Sequence, residues 1–251
     1  MINGKKIVDD VSFDVKSGDM ISIIGPNGSG KSTLIRLISG ELIPTNGKVF
    51  FQDKLINDWN SDELSRNRSV LSQSSSISFP FSVMDIAKMG VYPYNLKSNK
   101  IGYDESIIND ILRVFDLRDY IDRNYMTLSG GEKQRVQLAR VLIQVCCNSD
   151  YENKLLMLDE PTSFLDIKYQ SILFNFLKDL NNQKLTIMMV LHDINHAIFK
   201  SNKIIMLKNG SVFSYDLTKP SISVKLFNSL FDSQFKIVGT KDSSEILVTL
   251  A

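Results

Sequence analysis

The glycine-rich segment after residues Met20–Ile24 constrains the fold more than any other part of the sequence. Met20–Ile24 (MISII) is a short apolar run, and the following residues fit the pattern G-x-x-x-x-G-K-[ST]: Gly25, Pro26, Asn27, Gly28, Ser29, Gly30, Lys31, Ser32 and Thr33. Glycines let backbone N–H groups turn inward around phosphate oxygens, and a helix that begins near Lys31 points its positive end at the same phosphates. Lys31 would reach the β and γ phosphates of a nucleotide, and the Ser32 hydroxyl could bind magnesium. We therefore expect a strand, a loop that binds nucleotide phosphates and a helix, in that order.

Two further apolar runs also end in chemically reactive residues. Residues 155–158 (LLML) lead into Asp159 and Glu160, and residues 185–191 (LTIMMVL) lead into His192. A carboxylate at Asp159 can hold magnesium through water, and a second carboxylate at Glu160 can polarise an attacking water. Because neighbouring side chains diverge on an extended backbone, we expect Asp159 to face the metal and Glu160 to face the water.

The spacing of apolar residues predicts helices over residues 107–117, 130–143 and 173–180. Continuously apolar strands that alternate with amphipathic helices indicate an α/β fold with a mostly parallel sheet covered on both faces. Ligands of such sheets bind beyond the carboxyl ends of the strands, so the three reactive sets should meet at one edge. Two turn pairs predict hairpins, one at Asn46-Gly47 before a strand over residues 48–52 and one at Asn209-Gly210.

A second helix start could also bind an anion. Residues 128–134 read LSGGEKQ, in which Ser129 can cap a helix while Gly130 and Gly131 leave backbone N–H groups accessible. A well-capped surface helix would have the same pattern, so the segment alone does not decide between the two interpretations.

Composition excludes several classes of protein. The chain has 251 residues with 29 Lys and Arg against 28 Asp and Glu, and this near-neutral balance argues against a dedicated nucleic-acid binder. Its apolar runs fall far short of the ~20 residues of a membrane span, so we expect a soluble intracellular protein. The two cysteines, Cys146 and Cys147, are adjacent and offer neither a disulfide framework nor a zinc ligand set.

Taken together, these residues resemble the motifs of the ATP-binding cassette (ABC) ATPases along almost the whole chain. The matching segments are residues 25–33 (Walker A), Gln73 (Q-loop), 128–134 (signature), 155–159 (Walker B), 163–166 (D-loop) and His192 (switch histidine). The resemblance implies a P-loop NTPase fold with a mostly parallel central sheet, an antiparallel β subdomain and an inserted helical subdomain. Residues 1–251 would form one domain, and the helical subdomain would span approximately residues 74–147.

The same resemblance implies the catalytic chemistry. The protein would hydrolyse ATP with Mg²⁺ as cofactor. Glu160 would be the general base, His192 would position the γ-phosphate and the water, and Gln73 would sense the metal. Ser32 and Gln73 would bind Mg²⁺ together with Asp159, which would act through water.

Family members work as pairs, which gives the signature its implied role. Two copies would bind head to tail and enclose two ATP molecules. Ser129, Gly130, Gly131 and Glu132 of one copy would then contact the ATP held by the other, and Asp166 is the aspartate of the D-loop. Phe164 stands in that loop where alanine is common.

Other segments point to importers within the family. The separation of Thr33 from Leu128 leaves no room for a long coiled coil, and residues 76–94 resemble the ATPases of iron-chelate, haem and cobalamin importers. Residues 145–154 and the segment FPFSV are most similar to the hemin importers. The implied partners are two transmembrane permease subunits and, indirectly, a periplasmic substrate-binding protein, at the cytoplasmic face of the inner membrane.

Alternatives and one departure from the family remain open. A ferric siderophore or cobalamin could replace hemin, and a non-transport ABC ATPase is a second possibility. A cassette that only binds nucleotide is disfavoured by the presence of Lys31, Glu160 and His192. Ile2 occupies the position where the family usually stacks an aromatic ring on adenine, and no aromatic residue precedes Phe13. Either the start is truncated or adenine stacks less well here.

Overall fold

The computed structural model describes residue 4 and residues 6–73, 77–94, 104–217, 223–239 and 246–250. In chain order the elements are β1 (Met20–Ile24), α1 (Lys31–Ile38), β2 (Phe50–Phe51), β3 (Lys54–Leu55), α2 (Ser61–Asn67), β4 (Arg68–Leu71), α3 (Val83–Met89), α4 (Ser106–Val114), α5 (Gly130–Cys146), β5 (Leu155–Asp159), α6 (Ile167–Asn182), β6 (Thr186–Val190), α7 (Ile194–Lys200), β7 (Lys203–Lys208), β8 (Ser211–Leu217), α8 (Val224–Phe231), β9 (Phe235–Gly239) and β10 (Ile246–Leu250). Ile2 lies outside the described residues. Residues 6–16 contain no strand.

The central sheet has the strand order β4-β5-β6-β1-β7-β8. The first five of these strands run parallel, and β8 pairs antiparallel with β7 at the edge. Val190 is in register with both Asp159 and Ile23, so the carboxyl ends of β5, β6 and β1 are adjacent. This confirms the predicted α/β fold and brings the three reactive segments to one edge of the sheet.

Both faces of the sheet are covered, which explains the continuously apolar strands. Every residue of β1, β5 and β6 is buried. Ile21 and Ile23 pack with Leu34 of α1 in one core cluster, whereas Ile24 belongs to a larger cluster that includes Leu142 of α5. Successive residues of a strand face opposite sides, and here each side meets helices.

One predicted hairpin is wrong in position. The strand expected over residues 48–52 is limited to Phe50–Phe51, and it pairs with Lys54–Leu55. The turn is therefore formed by Gln52 and Asp53, whose φ angles are 50° and 58°, as a two-residue turn between twisted strands requires. The Asn46-Gly47 pair precedes the hairpin instead of forming its turn.

The second predicted hairpin is confirmed. Asn209 and Gly210 have φ angles of 51° and 82° and join β7 to β8. A further antiparallel pair, β9 with β10, follows α8 near the end of the chain.

The predicted helices are found with shifted ends. Helix α5 starts at Gly130 as expected and extends to Cys146, whereas α4 stops at Val114 although the pattern continued to residue 117. Asp116 has a left-handed φ of 52°, and the Leu117 N–H donates to the Leu112 carbonyl, which closes a Schellman motif. The apolar side chain of Leu117 therefore continues the pattern beyond the helix. Within the described segments, no helix is long and apolar enough to cross a bilayer.

Candidate nucleotide-binding site

The predicted phosphate loop, residues 25–33, runs from the end of β1 into α1 and depends on close backbone contacts. A Cβ atom on Gly25 would lie 2.1 Å from the carbonyl oxygen of Leu207, and one on Gly30 would lie 2.7 Å from that of Ile7. Gly30 also has a φ of 99° at the N-cap of α1. Side chains at these positions would push the loop away from its neighbours, so the two glycines are required for this loop geometry.

Lys31 is buried within the loop. Its ammonium group donates to the carbonyl oxygens of Gly25 at 2.8 Å and Pro26 at 2.9 Å. Burial lowers the pKa of Lys31, and the nearby carboxylates of Glu160 and Asp159 partly oppose that shift. The loop thus holds a cation beside the start of α1, where the sequence predicts nucleotide phosphates.

Asp159 lies beside the first turn of α1. Burial raises the pKa of Asp159, while a hydrogen bond from the Ser32 hydroxyl acts in the opposite direction. Asp159 Oδ1 and Ser29 Oγ are buried without a hydrogen-bond partner among the described residues. Buried polar atoms are usually paired, so these two atoms indicate a place built for a polar ligand.

Asp159 and Ser32 fit a magnesium ion bound together with phosphates. Mg²⁺ takes oxygen ligands and is usually held by one or two carboxylates together with substrate phosphates. Asp159 and Ser32 supply a carboxylate and a hydroxyl in contact with each other. Across the residues that the structure describes, no group of three or more His, Cys, Asp or Glu side chains could hold a metal ion by itself. One carboxylate and one hydroxyl are a donor set suited to a Mg²⁺ ion that also has phosphate ligands.

Glu160 contacts two other predicted site residues and, in addition, Ser163. Its Oε1 lies 2.6 Å from His192 Nε2 and accepts a hydrogen bond from Gln73 Nε2 at 2.9 Å. Its Oε2 accepts one from the Ser163 hydroxyl at 3.3 Å. Burial raises the pKa of Glu160, but the hydrogen bonds and the charge of His192 outweigh it, so the pKa falls below its ordinary value. The carboxylate is consequently held ionised at neutral pH.

The expected reason for the divergence of Asp159 and Glu160 is wrong. Strand β5 ends at Asp159, and Glu160 has a left-handed φ of 53° rather than an extended backbone. The Glu160 N–H still donates to the Val190 carbonyl, and the Ser163 N–H donates to the Glu160 carbonyl in a tight turn. The two side chains do reach different partners, because the chain turns sharply between them.

The signature segment forms the start of α5, as predicted. The Glu132 N–H donates to Ser129 Oγ at 3.3 Å, and the Ser129 N–H donates to Glu132 Oε2 at 2.7 Å. This reciprocal capping box lowers the pKa of Glu132. Glu132 was expected at the partner's ATP, and in this structure its carboxylate is engaged in the cap of its own helix.

The D-loop packs against the signature glycines. A Cβ atom on Gly131 would lie 2.8 Å from the Phe164 carbonyl oxygen, and one on Gly130 would touch the Phe164 ring. Phe164 is 79% exposed despite its apolar ring. Asp166 caps α6, because its Oδ1 accepts a hydrogen bond from the Tyr169 N–H.

Sequence reasoning gave no role to Ser163, although it contacts Glu160. The short spacing between the two residues was the available signal, because a turn after the strand brings them together. The other histidine, His196, packs on the Phe174 ring with ring centroids 4.9 Å apart.

The fold and this arrangement of residues define the class of the protein. Residues 8–163 match the family model described as ABC transporter, which is more than half of the chain. The chain belongs to the ABC transporter family, and it is an ATPase of that family.

Two hemin import ATP-binding proteins are similar to this chain over nearly its whole length. The chain is 33% identical over 250 residues to the hemin import ATP-binding protein HmuV of Escherichia coli O157:H7, which covers 99% of this chain and 95% of that relative. It is 34% identical over 248 residues to the protein of the same name from Rhodopseudomonas palustris (strain BisA53), covering 98% and 90%.

Solved structures of transporters and of isolated cassettes are also similar. An inward-facing ABC transporter of metal-chelate type has a TM-score of 0.71 and 27% identity over 95% of this chain and 88% of its own. A dimeric ATP-binding cassette in a post-hydrolysis state, bound to ADP and Pi, has a TM-score of 0.71 and 28% identity over 85% of this chain and 90% of its own.

Proposed function

We propose that this chain is the ATP-hydrolysing subunit of an ABC importer of hemin. The contact of Glu160 with His192 and Gln73, beside a phosphate loop, carries the proposal that it hydrolyses ATP. The names of the relatives from Escherichia coli O157:H7 and Rhodopseudomonas palustris support hemin as the transported molecule. A ferric siderophore or cobalamin, transported in the same way, is the alternative.

Phosphate binding, proton transfer and positioning of the carboxylate would be carried out by different residues. The loop from Gly25 to Thr33 would hold the phosphates, and Lys31 would pair with the β and γ phosphates. Glu160 would take a proton from water as the water oxygen attacks the γ-phosphorus and the bond to the β–γ bridging oxygen breaks, leaving ADP. His192, with Gln73, would keep the Glu160 carboxylate in place.

Magnesium would be held by the Ser32 hydroxyl, the Gln73 amide oxygen and, through water, Asp159. When bound it would neutralise phosphate charge. The unpaired Oδ1 of Asp159 and its contact with Ser32 support this assignment.

A second copy would complete each site. In the head-to-tail pair, the Ser129, Gly130 and Gly131 segment of one chain would face the nucleotide of the other, with Glu132 holding the cap and Asp166 holding the D-loop helix. The dimeric cassette among the similar structures supports such a pair. Two permease subunits would bind the helical subdomain, approximately residues 74–147, at the cytoplasmic face of the inner membrane, and a periplasmic binding protein would deliver the substrate.

Transport in vesicles tests the proposal. The chain would be reconstituted with its cognate permease and binding protein, and uptake of hemin, a ferric siderophore and cobalamin would be compared with and without ATP. We expect ATP-dependent uptake of hemin, abolished by Glu160→Gln in the same vesicles. If only a ferric siderophore or cobalamin were taken up, that molecule would replace hemin as the assigned substrate. A rate of ATP hydrolysis that does not depend on the permease would indicate a non-transport ATPase.

A further inference from the structure

The C-terminal strand β10 is held by one side chain of α7. Asn195 Nδ2 donates to the carbonyl oxygen of Val248 at 3.1 Å, and the Val248 N–H donates to Asn195 Oδ1 at 2.8 Å. Val248 is buried in the main core cluster, and its strand pairs with β9. The two elements are therefore joined at a defined point although 53 positions separate them in the sequence.

The chemistry of this contact requires an amide side chain. Both backbone polar groups of Val248 are satisfied by a donor and an acceptor on the same planar group, which Asn and Gln provide. The Asn195 side chain thus takes the place that a neighbouring strand would have beside β10. An aspartate would have the same size but could not donate to the Val248 carbonyl.

Asn195 also lies close to the hydrolytic site along the chain. It is in the first turn of α7, where Asp193 Oδ1 accepts hydrogen bonds from the N–H groups of Asn195 at 2.8 Å and His196 at 3.1 Å. His192 precedes this cap and contacts Glu160 at 2.6 Å. The position of the first turn of α7 consequently determines where the His192 ring lies.

The other strand of the hairpin is anchored independently of α7. The Phe235 N–H donates to Asn228 Oδ1 of α8 at 2.7 Å. The Phe235 ring also packs on Phe227 and Phe231, with centroids 6.2 and 5.8 Å away. The β9–β10 pair is thus fixed to α8 through Phe235 of β9 and to α7 through Asn195, which holds Val248 of β10.

We propose that Asn195 is a positioning residue for ATP hydrolysis, because its clamp on Val248 fixes α7 and thereby holds His192 against Glu160. The inference rests on the proposed function in one respect, namely that His192 acts at the hydrolytic site. It assigns the C-terminal hairpin a part in catalysis although the hairpin contributes no residue to the site.

Kinetics of three variants test the inference. Asn195→Ala removes both hydrogen bonds, Asn195→Asp removes the donor at constant size, and Asn228→Ala removes the hydrogen bond that holds β9 to α8, as a matched control. We expect kcat to fall about 10–100-fold in both Asn195 variants, as for a small misplacement at a catalytic group, while the KM for ATP and nucleotide affinity stay near wild type. Asn228→Ala should keep the wild-type kcat. A parallel loss of kcat and nucleotide affinity would instead indicate general unfolding and overturn the inference.

Ring signals of the histidines give a readout that needs no turnover. The chain has two histidines, so the His192 ring C–H signals can be assigned by NMR with a His196→Ala variant. Asn195→Ala should shift the His192 signals and speed hydrogen exchange at the Val248 amide, and Asn228→Ala should leave His192 unchanged. Unchanged His192 signals with a released Val248 amide would overturn the inference. A wild-type chain without ATPase activity would overturn the proposed function, and the His192 signals would still decide whether Asn195 positions the ring.

Discussion

The Lys31 ammonium group is buried in the phosphate loop and bonded to two loop carbonyls. Hydrogen bonds that involve a charged group contribute about 1.5–3 kcal/mol each, so losing the bonds from Lys31 to two phosphates should weaken ATP binding strongly. We expect Lys31→Ala to lower the affinity for ATP at least ~100-fold by the same arithmetic. Titration with a fluorescent ATP analogue and magnesium measures this, with the exposed Lys48→Ala as the matched lysine control. Wild-type affinity in Lys31→Ala would remove the loop from the binding site.

Individual site residues could be predicted from the sequence where a short local motif contains the reactive side chains. The run from Gly25 to Thr33 and the strand ends at Asp159 and His192 have such patterns, and the structure brings them to one sheet edge. The Asn195 contact with Val248 has none, because a tertiary contact between distant segments leaves no periodicity in the sequence. The left-handed backbone of Glu160 was equally hidden, since left-handed φ angles are uncommon for glutamate.

At the scale of elements, Arg135 connects the signature helix α5 to the D-loop helix α6. It is buried, its guanidinium stacks on the Tyr169 ring at 4.2 Å, and its Nη1 donates to the Phe115 carbonyl and to the Tyr169 hydroxyl. Arg135→Met keeps much of the apolar stem but leaves these acceptors unpaired, which should lower the free energy of unfolding by about 1–3 kcal/mol. Denaturant unfolding measures it. Lys168→Ala removes an exposed ion pair with Asp116 and should change the free energy of unfolding little. If both substitutions lowered the free energy of unfolding equally, Arg135 would have no special role.

The end of α5 buries both cysteines. Burial raises the pKa of Cys146 from 9.0 to about 11 and that of Cys147 to about 12. At pH 9 the folded thiols therefore stay protonated while unfolded ones ionise, so their contribution to stability is full below pH 9 and is lost as pH rises toward 11. We expect native protein at pH 8 to react slowly with a disulfide reagent and the urea-unfolded chain to react fast at both thiols. Fast reaction of the native protein would contradict this burial.

Helices and buried strands were the elements best predicted from sequence. The helical spacing of α5 and the continuously apolar runs of β5 and β6 predicted elements whose ends differ from the structure by only a few residues. The hairpin at Asn46-Gly47 was misplaced because Gln52-Asp53, which lacks glycine, adopts the left-handed turn instead. In this case strand pairing overrides the turn preference of the dipeptide.

In the molecule as a whole, two exposed apolar side chains lie in or directly after the D-loop, which packs on the signature. Phe164 and Ile167 are 79% and 85% exposed, and Phe164 lies against the glycines that follow Ser129. Exposed apolar residues in one area indicate an interaction surface. This supports a second copy at the signature, as the proposed head-to-tail pair requires.

Ser129→Arg tests that arrangement. We expect ATP binding to remain near wild type, because the Ser129 segment would serve the partner's site, and hydrolysis to stop. Ser82→Arg is the matched control, since Ser82 forms the same capping box with Asp85 at α3, and it should keep hydrolysis. Mixing Ser129→Arg with Lys31→Ala should restore part of the activity, because one composite site would then be intact. Equal loss of binding and turnover in Ser129→Arg would favour a monomeric site.

In the proposed function, Glu160 is the general base of an ATP site closed by two copies. Glu160→Gln keeps the size of the side chain but removes the basic oxygen, so hydrolysis should fall ~10²–10⁴-fold while the phosphate loop still binds ATP. Size-exclusion chromatography with light scattering, run with ATP and magnesium and then with ADP and magnesium, is the most direct measurement. We expect the variant to double in mass from 28.4 kDa with ATP and to stay monomeric with ADP. A variant that binds ATP yet remains monomeric, or that hydrolyses ATP at the wild-type rate, would contradict it.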